Sequence, residues 1–112
     1  MLPWETVLKK RHEGRERWIE IDGKRLLLRR PTGGAIAKTQ ASGEELIKIS
    51  LVGWELTELD IMPGGTDQRA PFHIDLAMDW LEDNPEAYAK VVNEIIELIN
   101  AYNKQLQDVG KK

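Results

Sequence analysis

Cysteine is absent from this 112-residue chain. That excludes disulfides, thiolate-bound zinc and cysteine nucleophiles. Long apolar runs are missing too. Nothing approaches the ~18 residues a transmembrane helix needs, and the first residues show no signal-peptide hydrophobic stretch. The expectation is a soluble, cytoplasmic protein with no membrane partner. A basic excess is also lacking. The 16 Lys and Arg are outnumbered by 19 Asp and Glu, a net charge of −3, whereas a general nucleic-acid binder carries a strong positive surface. No nucleic-acid partner is expected. What is present is a 41% hydrophobic, 31% charged composition, which separates the chain from disordered sequences. Its length suits one domain, 1–112, since domains commonly run ~100–150 residues.

Residues 1–15 read as an N-terminal arm. Leu2, Trp4, Val7 and Leu8 are apolar anchors, followed by Lys9, Lys10 and Arg11. Pro3 suits the first turn of a short helix that Gly14 would end; the alternative is a frayed tether. Residues 16–30 read as a β-hairpin. Trp18, Ile19 and Ile21 are strand formers, and Asp22-Gly23 tolerates the positive φ of a tight I′ turn. The return strand, Lys24 to Arg30, carries Leu26, Leu27 and Leu28 in a row, which suggests burial on both faces or a partner over one of them.

The rest, 31–112, reads as mainly helical. Pro31 stops the strand, and Thr32 can cap a short helix through Ala35 to Lys38. Ser42-Gly43-Glu44-Glu45 has the capping-box pattern, so a helix should follow through Leu46, Ile49 and Leu51 and end at Gly53. Pro63-Gly64-Gly65 marks a loop. Pro71-Phe72 leads into a helix near Asp75 with Leu76, Ala77, Trp80 and Leu81. Asn84-Pro85-Glu86 is a helix start. In the last helix Tyr88, Val92, Ile95, Ile99, Tyr102, Leu106 and Val109 fall at spacings of 4, 3, 4, 3, 4 and 3, a heptad seam, which Val91, Ile96 and Leu98 widen beyond what a two-stranded seam needs. That stripe packs on the hairpin and other helices, or its end from Tyr102 to Val109 pairs with another subunit. The predicted architecture is α+β: an N-terminal hairpin or small antiparallel sheet, three to four helices, and a long C-terminal helix.

Reactive constellations are not found. His12 and His73 lack metal-ligand spacing; His73 near Asp75 and Asp79 reads as a solvent-facing imidazole at a helix start. Thr32-Gly33-Gly34 lacks the lysine and spacing of a phosphate loop. Ser42 and Ser50 have no triad partners. Glu55, Glu58 and Asp60, or Glu82 with Asp83, are paired carboxylates that a solvated acidic face explains. No catalytic residue, metal or cofactor is assigned, and the chain is not expected to be an enzyme. Of four tryptophans, Trp54 and Trp80 sit among apolar neighbours and read as core. Trp4, in the arm, is the better interface candidate.

The segment Ile21-Asp22-Gly23-Lys24-Arg25-Leu26-Leu27-Leu28-Arg29-Arg30-Pro31-Thr32-Gly33-Gly34 resembles the opening of the tail assembly chaperones of tailed bacteriophages and prophages. Ser50-Leu51-Val52-Gly53-Trp54 is similar to that family's helix closing at a Gly-Trp step, and Pro71-Phe72 precedes an acidic helix, Asp75 to Glu82, as in the family. The likeness spans about residues 20–85. It implies a non-catalytic protein that binds the tape-measure protein, the long helical ruler of the tail, keeps it soluble in the bacterial cytoplasm and self-associates along it. The resemblance implies structural roles for Pro31, Gly33 and Trp54, and interaction roles for Arg29 and Arg30. Together with the apolar pattern, the candidate protein-interaction residues are Trp4, Leu27, Arg29, Arg30, Ile99, Tyr102, Leu106 and Val109. Two rivals stand beside this reading. One is a generic adaptor oligomerising through the C-terminal helix. The other is a small enzyme or ligand-binding protein using the acidic, Gly-rich loop 58–67.

Overall fold

Asp22 and Gly23 both have positive φ, 52° and 80°, the geometry of the tight turn that the dipeptide predicts. From that turn the hairpin zips outward. In the computed structural model, which describes residues 2–38 and 42–110 (109 and 110 by their backbone), β1 (Glu16–Ile21) pairs antiparallel with β2 (Lys24–Arg29), Ile21 opposite Lys24 and Glu16 opposite Arg29. Alternation sends Ile19, Ile21, Leu26 and Leu28 to the buried face. Leu27 points the other way, half-buried beside Trp18.

A third strand, β3 (Leu51–Trp54), completes a small antiparallel sheet in the order β1-β2-β3. This corrects the expected helix through Leu51 to Gly53. The helix, α3 (Gly43–Ser50), stops at Ser50, and the strand after it pairs with β2, Leu26 opposite Trp54, Leu27 opposite Gly53 and Leu28 opposite Leu51, with a register shift at Val52. Gly53 lies in van der Waals range of Leu27, where an added Cβ would be 3.5 Å from the leucine Cβ. It marks close packing of strands rather than a helix end.

The fold is α+β, with the sheet packed by helices. Among the described residues there are six helical segments: α1 (Trp4–Arg15), α2 (Gly33–Lys38), α3, α4 (Glu58–Ile61), α5 (Ile74–Glu82) and α6 (Pro85–Gly110). Side-chain caps start several of them. Thr32 Oγ1 accepts from the Ala35 amide at 3.1 Å and Ser42 Oγ from the Glu45 amide at 3.2 Å. A reciprocal capping box is formed by Thr57 and Asp60 at α4. The arm is helical rather than frayed: α1 runs through Gly14 and passes straight into β1. None of its residues is buried.

The buried side chains form one cluster. The sheet contributes Ile19, Ile21, Leu26, Leu28, Leu51 and Trp54. Helices α3, α5 and α6 cover it with Leu46 and Ile47, with Ala77, Met78, Trp80 and Leu81, and with Ala87, Val91 and Ile95. Trp54 and Trp80 are core, as read from the sequence. Trp54 Nε1 donates to the Ala70 carbonyl at 2.9 Å, and its ring meets Phe72 and Trp80 edge-on at 5.5 and 6.4 Å.

The seam of α6 is rotated from the expected heptad. Ala87, Val91 and Ile95 are its deepest residues, while Tyr88, Val92 and Ile99 flank them half-buried. A helix packing at once on a sheet and two helices needs a broad stripe rather than a two-stranded seam. From Asn100 to Asp108 every residue is exposed. The molecule measures 56 × 33 × 25 Å, so a 26-residue helix of ~39 Å runs well past the core.

Candidate protein-interaction surface

The path of α6 organises the surface. Its first turn, Asn84 to Ala87, lies with Asp22 and Lys24 at the hairpin turn. Further on, Lys90, Asn93 and Glu94 lie beside Ile19, Glu20 and Ile21. The Glu94 carboxylate reaches Arg17 at 3.7 Å. Beyond, Leu98, Ala101, Tyr102 and Gln105 lie against Arg15, Glu16, Arg17 and Arg30. Helix α6 therefore runs antiparallel to β1, from the turn toward the open end of the hairpin.

The open end carries a groove of about 510 Å³ between the hairpin and α6. Arg30 stacks on Tyr102, its guanidinium carbon 3.5 Å from the ring centroid, and also donates to the Pro31 carbonyl at 3.2 Å. Arg29 is bridged to Glu16 at 3.1 Å. Arg15 has no ion pair or side-chain hydrogen bond among the described residues, and its Nε is shut from solvent without an acceptor. Burial first, then the positive charges of Arg11, Arg30 and Arg29, push its guanidinium below the ordinary arginine range.

Exposed large apolar side chains lie on α1, on α6 and, as Leu59 and Met62, at α4. On α1 and its approach, Leu2, Trp4, Val7 and Leu8 are in solvent, Trp4 at 72% exposure. On the outer half of α6, Leu106 is 53% exposed and Tyr102 37%. The outer face of the sheet adds Trp18, with Arg25 stacked 4.5 Å from its ring centroid.

The predicted interaction residues thus separate. Trp4 stands on α1. Leu27 lies on the outer sheet face between Trp18 and Gly53. Arg30 and Tyr102 meet, and Leu106 follows one turn later. Ile99 is packed against the core cluster, and Arg29 is held by Glu16. The side chain of Val109 lies outside the described residues. Sequence reasoning missed Arg15 and Trp18. The hairpin register would have found both: counted from Asp22-Gly23, position 18 faces Leu27 and position 15 faces Arg30.

Two acids of the loop 58–67, Glu58 and Asp60, bond to groups of the same segment. Asp60 accepts from the Thr57 amide at 2.8 Å, the Glu58 carboxylate takes the Thr66 hydroxyl, and Gly65 is packed on Glu58. A cleft of about 550 Å³ nearby is lined by Asp22, Lys24, Asp60, Asp83 and Glu86. Among the described residues no three His, Asp or Glu converge as metal ligands. His73 caps α5 through Nδ1, which accepts from the Asp75 amide at 3.1 Å. No helix of the described residues is long and apolar enough to cross a membrane. Compared with known proteins, the chain matches no family model, no curated protein and no solved structure.

Proposed function

We propose that this protein is a holding protein that works by non-catalytic contact: a tail assembly chaperone of a tailed phage or prophage, which binds the tape-measure protein in the bacterial cytoplasm and keeps it soluble until the tail tube forms around it. The observation that carries the reading is α1, a twelve-residue helix with no buried side chain that leaves Trp4, Val7 and Leu8 in solvent. Exposed large apolar groups gathered on projecting elements are what protein partners recognise. The motif likeness over residues 20–85 supports the choice of partner.

A chaperone of this kind must release its cargo, so many modest contacts suit it better than one tight one. Separate apolar contacts on two helices, α1 and α6, suit that requirement. The test is co-expression with a tape-measure fragment. The fragment should stay in the soluble fraction with this protein and precipitate without it; equal precipitation in both removes the reading.

The exposed end of α6 favours a second reading, an adaptor that oligomerises there. Tyr102→Asp with Leu106→Asp should then abolish self-association while the fold persists, because neither side chain is in the core. An unchanged sedimentation profile dismisses that interface. Ile99→Asp is a poorer probe, since Ile99 packs on the core.

A further inference from the structure

The inner face of the hairpin changes character along its length. Its rungs are Ile21 with Lys24, Ile19 with Leu26, and Arg17 with Leu28. The next rung is Arg15 with Arg30, joined by the Arg30 amide donating to the Arg15 carbonyl at 2.8 Å. Both side chains line the groove that α6 covers, Arg15 as the last residue of α1 and Arg30 just past the end of β2. There α6 offers Leu98, Ala101, Tyr102 and Gln105, all uncharged.

Two acids border the groove region. Glu16 holds Arg29 at 3.1 Å, and Glu94 lies 3.7 Å from Arg17 with its Oε2 in no hydrogen bond among the described residues. Among the described residues neither Arg15 nor Arg30 forms an ion pair, so this rung carries two positive charges without a carboxylate of its own. A buried donor without an acceptor is costly, and the Arg15 Nε is one. Guanidinium groups bind oxyanions through paired N–H donors. Tyr102 stacks on Arg30, and Leu106 continues the same helix face one turn outward. Cationic and apolar groups thus lie side by side.

We propose that this groove is an oxyanion-binding site whose ligand is a carboxylate on an acidic amphipathic helix of a partner protein. Arg15 donates to the carboxylate, Arg30 supplies the second charge, and Tyr102 and Leu106 cover the apolar face of the same helix. The inference rests on the holding-protein reading and names the chemistry of the segment held.

The test is calorimetric titration of the full chain with an amphipathic peptide of Leu, Ala and Glu, with its Glu→Gln counterpart, and with inorganic phosphate. The Glu peptide should bind, and Arg15→Gln or Arg30→Gln should weaken it by about tenfold or more, as should the Gln peptide. Arg25→Gln removes the same charge from the outer face, where Arg25 pairs with Glu55, and should leave binding unchanged. Removing an uncompensated charge should hold or raise the melting temperature of Arg15→Gln. Arg15→Lys should recover part of the lost affinity.

Equal binding of the two peptides, no binding of the Glu peptide, or an equal loss in Arg25→Gln overturns the proposal. Phosphate binding without peptide binding assigns the groove to a free oxyanion and also overturns it. A tape-measure fragment held in solution by the parent chain while the Glu peptide fails to bind overturns the carboxylate contact and leaves the holding reading standing. A fragment that the parent chain fails to hold removes the holding reading, while the peptide titration still decides the groove.

Discussion

At the scale of single residues, the interior tolerates some groups it would be better without. Ser50 is fully buried and its hydroxyl has no partner among the described residues. Ser50→Ala should therefore raise stability by about 1 kcal/mol, since an unsatisfied buried hydroxyl costs ~1–3 kcal/mol; urea unfolding measures it. Gly65 behaves in the opposite way. A Cβ there would stand 2.6 Å from the Glu58 carbonyl carbon, so Gly65→Ala must push two backbone segments apart. It should lower the urea midpoint. Gly34→Ala, in helix α2 where a Cβ meets nothing within 4 Å, should raise it by ~0.5–1 kcal/mol in stability. The two glycines look alike in the sequence. Only the return of the loop onto α4 distinguishes them, and that return depends on Glu58 and Leu59 accepting no side chain beneath them.

At the scale of elements, α6 divides at about residue 99. Ile95 is fully buried, so Ile95→Ala should cost ~2–5 kcal/mol. Leu106 stands in solvent, and Leu106→Ala should change stability by less than ~0.5 kcal/mol. Chemical denaturation of both variants checks the division; similar losses would mean that the outer half packs on the core after all. The existence of α6 was legible from its 3- and 4-residue spacing. Its buried face was not, because the pattern from Tyr88 to Val109 places apolar residues on more than one side and the sheet, α3 and α5 together select among them. β3 was hidden for a related reason. Four residues containing a glycine carry little strand signal, and Leu51–Trp54 becomes a strand because β2 already offers a row of amides and carbonyls.

At the scale of the whole molecule, charge is segregated. Helix α1 carries Lys9, Lys10, Arg11 and Arg15 against Glu5 and Glu13, and its end borders the arginine groove, while Asp22, Asp60, Asp83 and Glu86, with Lys24, line the cleft at the hairpin's other end. A net charge of −3 conceals this polarity. Partner binding at the basic end should weaken steadily as salt rises from ~50 to ~300 mM, because exposed charges are screened over a Debye length of ~10 Å at 0.1 M. Titrations across that range check it. Affinity independent of salt would assign the contact to the apolar side chains alone. No residue of α1 is buried, and every residue of α6 from Asn100 to Asp108 is exposed, so variants such as Trp4→Ala should reduce binding without shifting the melting temperature.

What the amino-acid order alone determined is local: the Asp22-Gly23 turn and with it the hairpin register, the caps at Thr32 and Ser42, and a long helix after Asn84. Each is set by backbone chemistry within a few residues. What only the tertiary structure decided is everything that joins distant segments: a third strand at Leu51, the inward face of α6, and the meeting of Arg15 and Arg30 with Tyr102. Those depend on which surfaces are excluded from water together, a property that residues acquire only once the chain has brought them into contact.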